Sequence, residues 1–233
     1  MHSNFESMLP DISGLFQSQK PRALLGTATS IADQISSEDL MNRAGEFYQK
    51  TKEALVASTF AAGFALGIEP VLVKMAHKRM LDFELNGFDG QKYEYEIVMS
   101  LEPGRKPGLE YRDAKKPVTP WRAFSGEPVP AEWVAKVIRK KTDLAKKNQI
   151  YHRHLLVYQN ISGGAPDLRQ LKALVGHAKS VWASMWLISG VPAWGGIALL
   201  SNRYGFDWPT MEWFSYVNAK EGKGFSGFDI YLQ

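Results

Sequence analysis

Between Leu81 and Val98 the sequence "LDFELNGFDGQKYEYEIV" alternates apolar and polar residues on both sides of a glycine-rich centre. That period of two predicts a β-hairpin. Pairing Asn86 with Lys92 places Leu85 against Tyr93, Phe83 against Tyr95 and Leu81 against Ile97 on one face. The other face then holds Glu84 opposite Glu94 and Asp82 opposite Glu96. A one-residue slip would set acids against core hydrophobes, so the apolar pattern selects this register. The selected register puts like charges directly across from one another, which is unfavourable. Either solvent and nearby lysines (Lys74, Lys78, Lys92) offset them, or a cation does.

Elsewhere the pattern predicts a long helix from Gly45 to Leu66, ended by Glu69-Pro70, then "VLVKMA" as a strand ahead of the hairpin. Residues 1–44 read as a partly irregular arm, with a short helix from Ser37. Leu101 to Pro130 is a long Pro/Gly-rich loop carrying Arg105, Lys106, Arg112, Lys115, Lys116 and Arg122. A helix over 130–148 follows, then "HLLVYQNI", apolar enough for a strand buried on both faces. Another helix from Pro166 to Lys179 and the strand pair "VWASMWLIS" and "GGIALLSN" complete the order. The fold class expected is α/β (α+β), a mixed sheet flanked by helices, with residues 45–233 as one domain.

In the 130–148 helix, Val134, Val137, Ile138, Leu144 and Ala145 make one apolar stripe. Lys141 falls in the middle of it. Facing the sheet, its ammonium needs a carboxylate or a functional role; the alternative is that it snorkels to the helix edge. The opposite face carries Lys136, Arg139, Lys140, Lys146 and Lys147. From Glu132 to Arg153 there are seven Lys/Arg against two acids, a local excess larger than the whole chain's +4. Such a stripe suits a polyanion or is simply a solvated face.

The remaining composition narrows matters. No cysteine is present among the 233 residues, which removes disulfides and thiolate metal sites. The N-terminus lacks a signal-peptide pattern, and the uncharged run from Ala54 to Ile68 is short for a membrane span. A cytoplasmic protein with no membrane partner is expected. His152 and His154 in "YHRHLL" could share a strand face as a metal pair, although a strand-edge role is favoured. "NISGGAPD" reads as a turn before a helix. Five of seven tryptophans follow residue 180, which suits a core or a homodimer interface through the aromatic C-terminal region.

Helix, three strands, helix, strand over residues 45–160, with "LDF" at Asp82 and "YEYEIV" at Glu96 and Glu94, resembles the PD-(D/E)XK nuclease superfamily, the restriction-endonuclease-like fold. The resemblance implies an αβββαβ core with C-terminal strand additions. It also implies metal-dependent phosphodiester hydrolysis of nucleic acid by a DNA endonuclease, with Asp82, Glu96 and Lys141 catalytic. Asp82, Glu96 and Glu94 would hold Mg²⁺ or Mn²⁺, and Arg105, Lys106, Arg112, Lys115, Lys116, Lys136 and Lys140 would bind the DNA. Two positions depart from the family: Leu81 stands where proline is usual, and Glu96 is followed by Ile97 and Val98 instead of the family's lysine. Lys141 is the candidate to replace it. The alternative is a non-catalytic nucleic-acid-binding or protein-interaction module on a nuclease-like fold.

Overall fold

A computed structural model describes residues 10–35, 39–40, 45–67, 72–77, 81–87, 90–106, 124–191, 194–203 and 212–215. The expected helix start at Ser37, the loop cations Arg112, Lys115, Lys116 and Arg122, Lys78, and the aromatic tail beyond 215 lie outside these residues.

Seven strands form one sheet in the order β1-β2-β3-β5-β7-β8-β9. The first three, β1 (Leu72–Met75), β2 (Phe83–Asn86) and β3 (Lys92–Ser100), run antiparallel. The hairpin adopts the register its apolar pattern selects, with Phe83 on Tyr95, Glu84 on Glu94, Leu85 on Tyr93 and Asn86 on Lys92. Strand β5 (His154–Gln159) then lies parallel to β3, and β7 (Ser184–Val191) parallel to β5. Strands β8 (Trp194–Asn202) and β9 (Glu212–Ser215) return antiparallel. A separate two-stranded ribbon joins β4 (Phe124–Pro128) to β6 (Gly163–Gly164). The expected mixed sheet flanked by helices is therefore observed.

Helices α1 (Pro21–Ala32) and α2 (Glu46–Gly67) cover one face. Ala54, Ala57 and Ala61 of α2 are buried against the sheet, where small side chains allow close approach, and Phe60 fills the gap between Phe83, Tyr95 and Trp186. Residues expected to belong to an arm contribute to this core. Leu15, Leu24, Leu25, Ala28 and Ile31 are buried, and Gln19 exchanges two backbone hydrogen bonds with Val73 at the β1 edge. Helices α3 (Ala131–Lys147) and α4 (Leu168–Leu174) cover the other face over Leu155, Val157, Met185 and Leu187. All six β5 side chains are buried, as a strand covered on both faces requires. Proline does not start α4: Asp167 caps it, its Oδ1 accepting the Gln170 N–H at 3.0 Å.

Candidate functional site: a charged cluster on the β2–β3 hairpin

Alternation along β3 puts Tyr95 on the α2 face and Glu96 on the α3 face. Glu96 is 1% exposed, and a lone carboxylate there would be very costly. Two cations offset it. Lys141 Nζ lies 2.9 Å from Glu96 Oε2, and Arg153 Nη1 lies 3.1 Å from Oε1. Arg153 Nε also donates to Glu94 Oε2 at 3.1 Å, so one guanidinium joins two carboxylates two residues apart on the same strand. Lys141 thus faces the sheet, as its place in the helical stripe predicts. The stripe itself is turned slightly from expectation: Thr142 is buried and Leu144 is exposed.

Asp82 stands just before β2, where the hairpin leaves the ladder. Its peptide N–H donates to the Tyr95 carbonyl at 3.0 Å, and its Oδ2 accepts the Ile97 N–H at 2.6 Å. From α2, Lys50 Nζ lies 2.8 Å from Glu53 Oε2 and 3.8 Å from Asp82 Oδ1. Burial raises the Asp82 carboxyl to about 6, and the Glu53 charge adds to the rise. The Ile97 N–H, Lys50 and Lys141 oppose it without cancelling it. Four acids (Glu53, Asp82, Glu94, Glu96) and three cations (Lys50, Lys141, Arg153) converge here. Asp82, Lys50 and Glu96 are buried, whereas Lys141 and Arg153 keep 20% and 23% of their side chains exposed. The cluster is closed at one end and open at the other.

Glu84 stays outside this group, paired with Lys74 at 3.1 Å. Lys136 and Lys140 point outward from α3, and Lys106 is exposed. Arg105 is held by Glu102 at 3.1 Å and donates to the Asn160 carbonyl. The two histidines do not share a face. His152 has φ 68°, which breaks the alternation before β5 begins, and its ring meets Arg203. His154 is buried, with Nδ1 2.6 Å from Ser184 Oγ.

Lys50 and Arg153 were not singled out from the sequence. Lys50 had a readable signal: it stands three residues before Glu53 at the start of a helix that is otherwise turning apolar. Arg153 had none, because the left-handed residue that re-aims the chain ahead of it is an ordinary histidine.

No family model matches the chain, and no curated protein matches it. One solved structure is similar, a Pseudomonas aeruginosa PAO1 protein of unknown function described as belonging to the monooxygenase superfamily. It is 15% identical, with 80% of this chain and 86% of that one covered, at a TM-score of 0.42. At that level the likeness gives this chain neither a fold family nor an activity.

The cluster's own chemistry corrects the expected assignment. The opposed acids are compensated by Lys141, Arg153 and Lys50, where a nuclease would use a metal ion. Among the described residues no group of three His, Cys, Asp or Glu is arranged to hold a metal. Membership of the PD-(D/E)XK superfamily and the endonuclease and hydrolase activity therefore do not stand, and the alternative of a nucleic-acid-binding or protein-interaction module on that fold gains no support. As arranged, the acid pair is a poor magnesium site, since Glu96 is engaged by two cations and Asp82 Oδ2 by a peptide N–H. No described helix is long and apolar enough to cross a membrane.

Proposed function

We propose that the chain is an enzyme whose acid–base group is Asp82, exchanging a proton with a small polar substrate at the open edge of the cluster. The observation that carries this reading is the placement of Asp82, buried beside the Lys50–Glu53 pair with Lys50 Nζ 3.8 Å from its Oδ1; burial and the Glu53 charge raise its carboxyl to about 6. Its cation partners alone would push it the other way. Held near 6, Asp82 populates both protonation states close to neutral pH, the condition under which a general acid or base works best.

The other members have supporting roles in this reading. Glu53 and burial hold the Asp82 proton, and Lys50 limits how far. Glu96 is a positioning residue: it aims Lys141 and Arg153, whose charges would stabilise negative charge developing on the substrate. The reaction class that fits is proton abstraction or delivery beside a polarised carbonyl. Solvent-deuterium exchange into a panel of small oxo acids, followed by proton NMR, tests it. The wild type should accelerate exchange with a profile rising through about pH 6, and Asp82→Asn should lose about 10²–10⁴-fold. A water-soluble carbodiimide with a small amine should also label Asp82 in the folded protein. Labelling only after denaturation, or equal exchange by wild type and variant, would sink the reading.

A further inference from the structure

The outer surface of the α3–α4 layer takes no part in the cluster beneath it. Lys136, Arg139, Lys140, Lys146 and Lys147 are all exposed on α3, against Glu132 and Asp143. Arg169 is exposed on α4, and Gln170 Nε2 donates to Glu132 Oε1 at 2.8 Å, so the outward faces of the two helices adjoin. With Asp167 at the α4 cap included, six exposed cations stand against three acids, so the gathered charge is positive, as a polyanion would require.

A second, independent feature sits at the C-terminal end of the same helix. Only three large hydrophobic side chains among the described residues are exposed: Leu72, Leu144 and Tyr151. Leu144 lies in the last turn of α3 and Tyr151 just beyond it, each 45% exposed. At helical spacing Leu144 stands between Lys140 and Lys147. A duplex backbone offers a leucine set among lysines little apolar surface beyond the edges of its sugars. At a lipid surface the lysines meet anionic headgroups while leucine and tyrosine enter the interfacial layer.

We propose that this face docks the protein peripherally on anionic membrane surfaces, with Leu144 and Tyr151 as its apolar contacts. It revises the sequence expectation of no membrane partner and stands apart from the Asp82 reading. Flotation with phosphatidylcholine vesicles, with and without roughly one third phosphatidylserine, tests it. The wild type should float only with the anionic vesicles, and less as salt rises. Lys140→Glu/Lys147→Glu should weaken binding by about tenfold or more. Leu144→Ser/Tyr151→Ser should weaken it most clearly at high salt, where the electrostatic part is screened. These positions are exposed, and circular dichroism confirms that each variant is folded. Equal flotation with neutral vesicles, no flotation at low salt, or unchanged binding by the Leu144→Ser/Tyr151→Ser variant would overturn the proposal. So would tighter binding to duplex DNA or single-stranded RNA than to anionic vesicles.

Discussion

Glu96 and Tyr95 are adjacent in β3, and so are the Leu155 and His154 that pair with them in β5. This single step separates two buried polar regions on opposite faces of the sheet. On the α3 face charge is retained: Glu96 is gripped by Lys141 and Arg153, and the group opens towards solvent at those cations. Around His154, under the middle of α2, charge is removed. His154 is stacked on Tyr95 at 4.8 Å and bonded to Ser184, whose Oγ also accepts the Trp186 indole N–H at 2.8 Å. Burial lowers the His154 ring to about 4, so it is neutral near pH 7. The sheet thus satisfies polar groups in two ways, by opposite charge where the region is open and by neutral hydrogen bonds where it is sealed.

The largest expected effect comes from stripping the cations. Lys141→Met/Arg153→Met leaves Glu96 buried without its two ion partners and should cost about 3–5 kcal/mol in urea denaturation at neutral pH. Glu96→Gln should cost less, about 1–2 kcal/mol, because the freed cations are partly exposed and can turn to water. If Glu96→Gln proved the more damaging change, an uncompensated buried carboxylate would not be the dominant cost in the cluster.

Ser184→Ala tests the sealed side. It removes the common partner of His154 and Trp186 and should cost about 2–3 kcal/mol. That loss should barely change with added salt, whereas stability changes in the cluster variants should depend on salt. Equal salt sensitivity of the two sets would erase the distinction between the faces.

How much of this could be read from the chain depends on the range of the interaction. The hairpin register was legible because alternating Leu81, Phe83 and Leu85 against Tyr93, Tyr95 and Ile97 leaves one workable pairing. The inward aim of Lys141 was legible from helical phase alone. The core role of residues 13–32 was not, because Leu15, Leu24, Leu25, Ala28 and Ile31 become a coherent face only once α2 lies beside them. Arg153 was hidden by the backbone: with His152 at φ 68°, neighbouring residues stop obeying strand alternation. The nuclease resemblance failed for a different reason. Paired acids and an inward lysine fit a metal site and an ion-pair cluster equally well, and Arg153, which favours the second, could not be placed from sequence.

Acid titration sharpens the comparison further, because the two faces respond with opposite sign. Asp82 holds its proton more tightly in the fold, at about 6 against 3.8. Its contribution is therefore present at low pH and lost as pH rises from about 4 through 6. His154 sits at about 4 against 6.5, so its contribution is present above 6.5 and lost as pH falls through 4. Each is on the order of 2–3 kcal/mol, and the two slopes offset one another across the same window. The summed contribution of these two groups should be nearly level between pH 4 and 6.5. Asp82→Asn should uncover a steady loss on acidification, and His154→Gln a loss on raising the pH. Parallel profiles for both variants would show that neither group titrates as its surroundings imply.

The smallest effect is expected at Glu84, which shares its strand face with the cluster and yet lies outside it. Glu84 faces Glu94 directly across the hairpin and is paired with Lys74, whose side chain is 31% exposed. Glu84→Gln gives up that pair and also relieves the repulsion from Glu94. With a partly solvated lysine the two terms nearly cancel, and the net change should stay within about 0.5–1 kcal/mol. The gap between this and the Lys141→Met/Arg153→Met loss measures what burial adds to a carboxylate on one strand face. A Glu84→Gln cost approaching that of the double variant would mean that all four hairpin acids form one coupled unit, and that the boundary between Glu84 and Glu96 is misplaced.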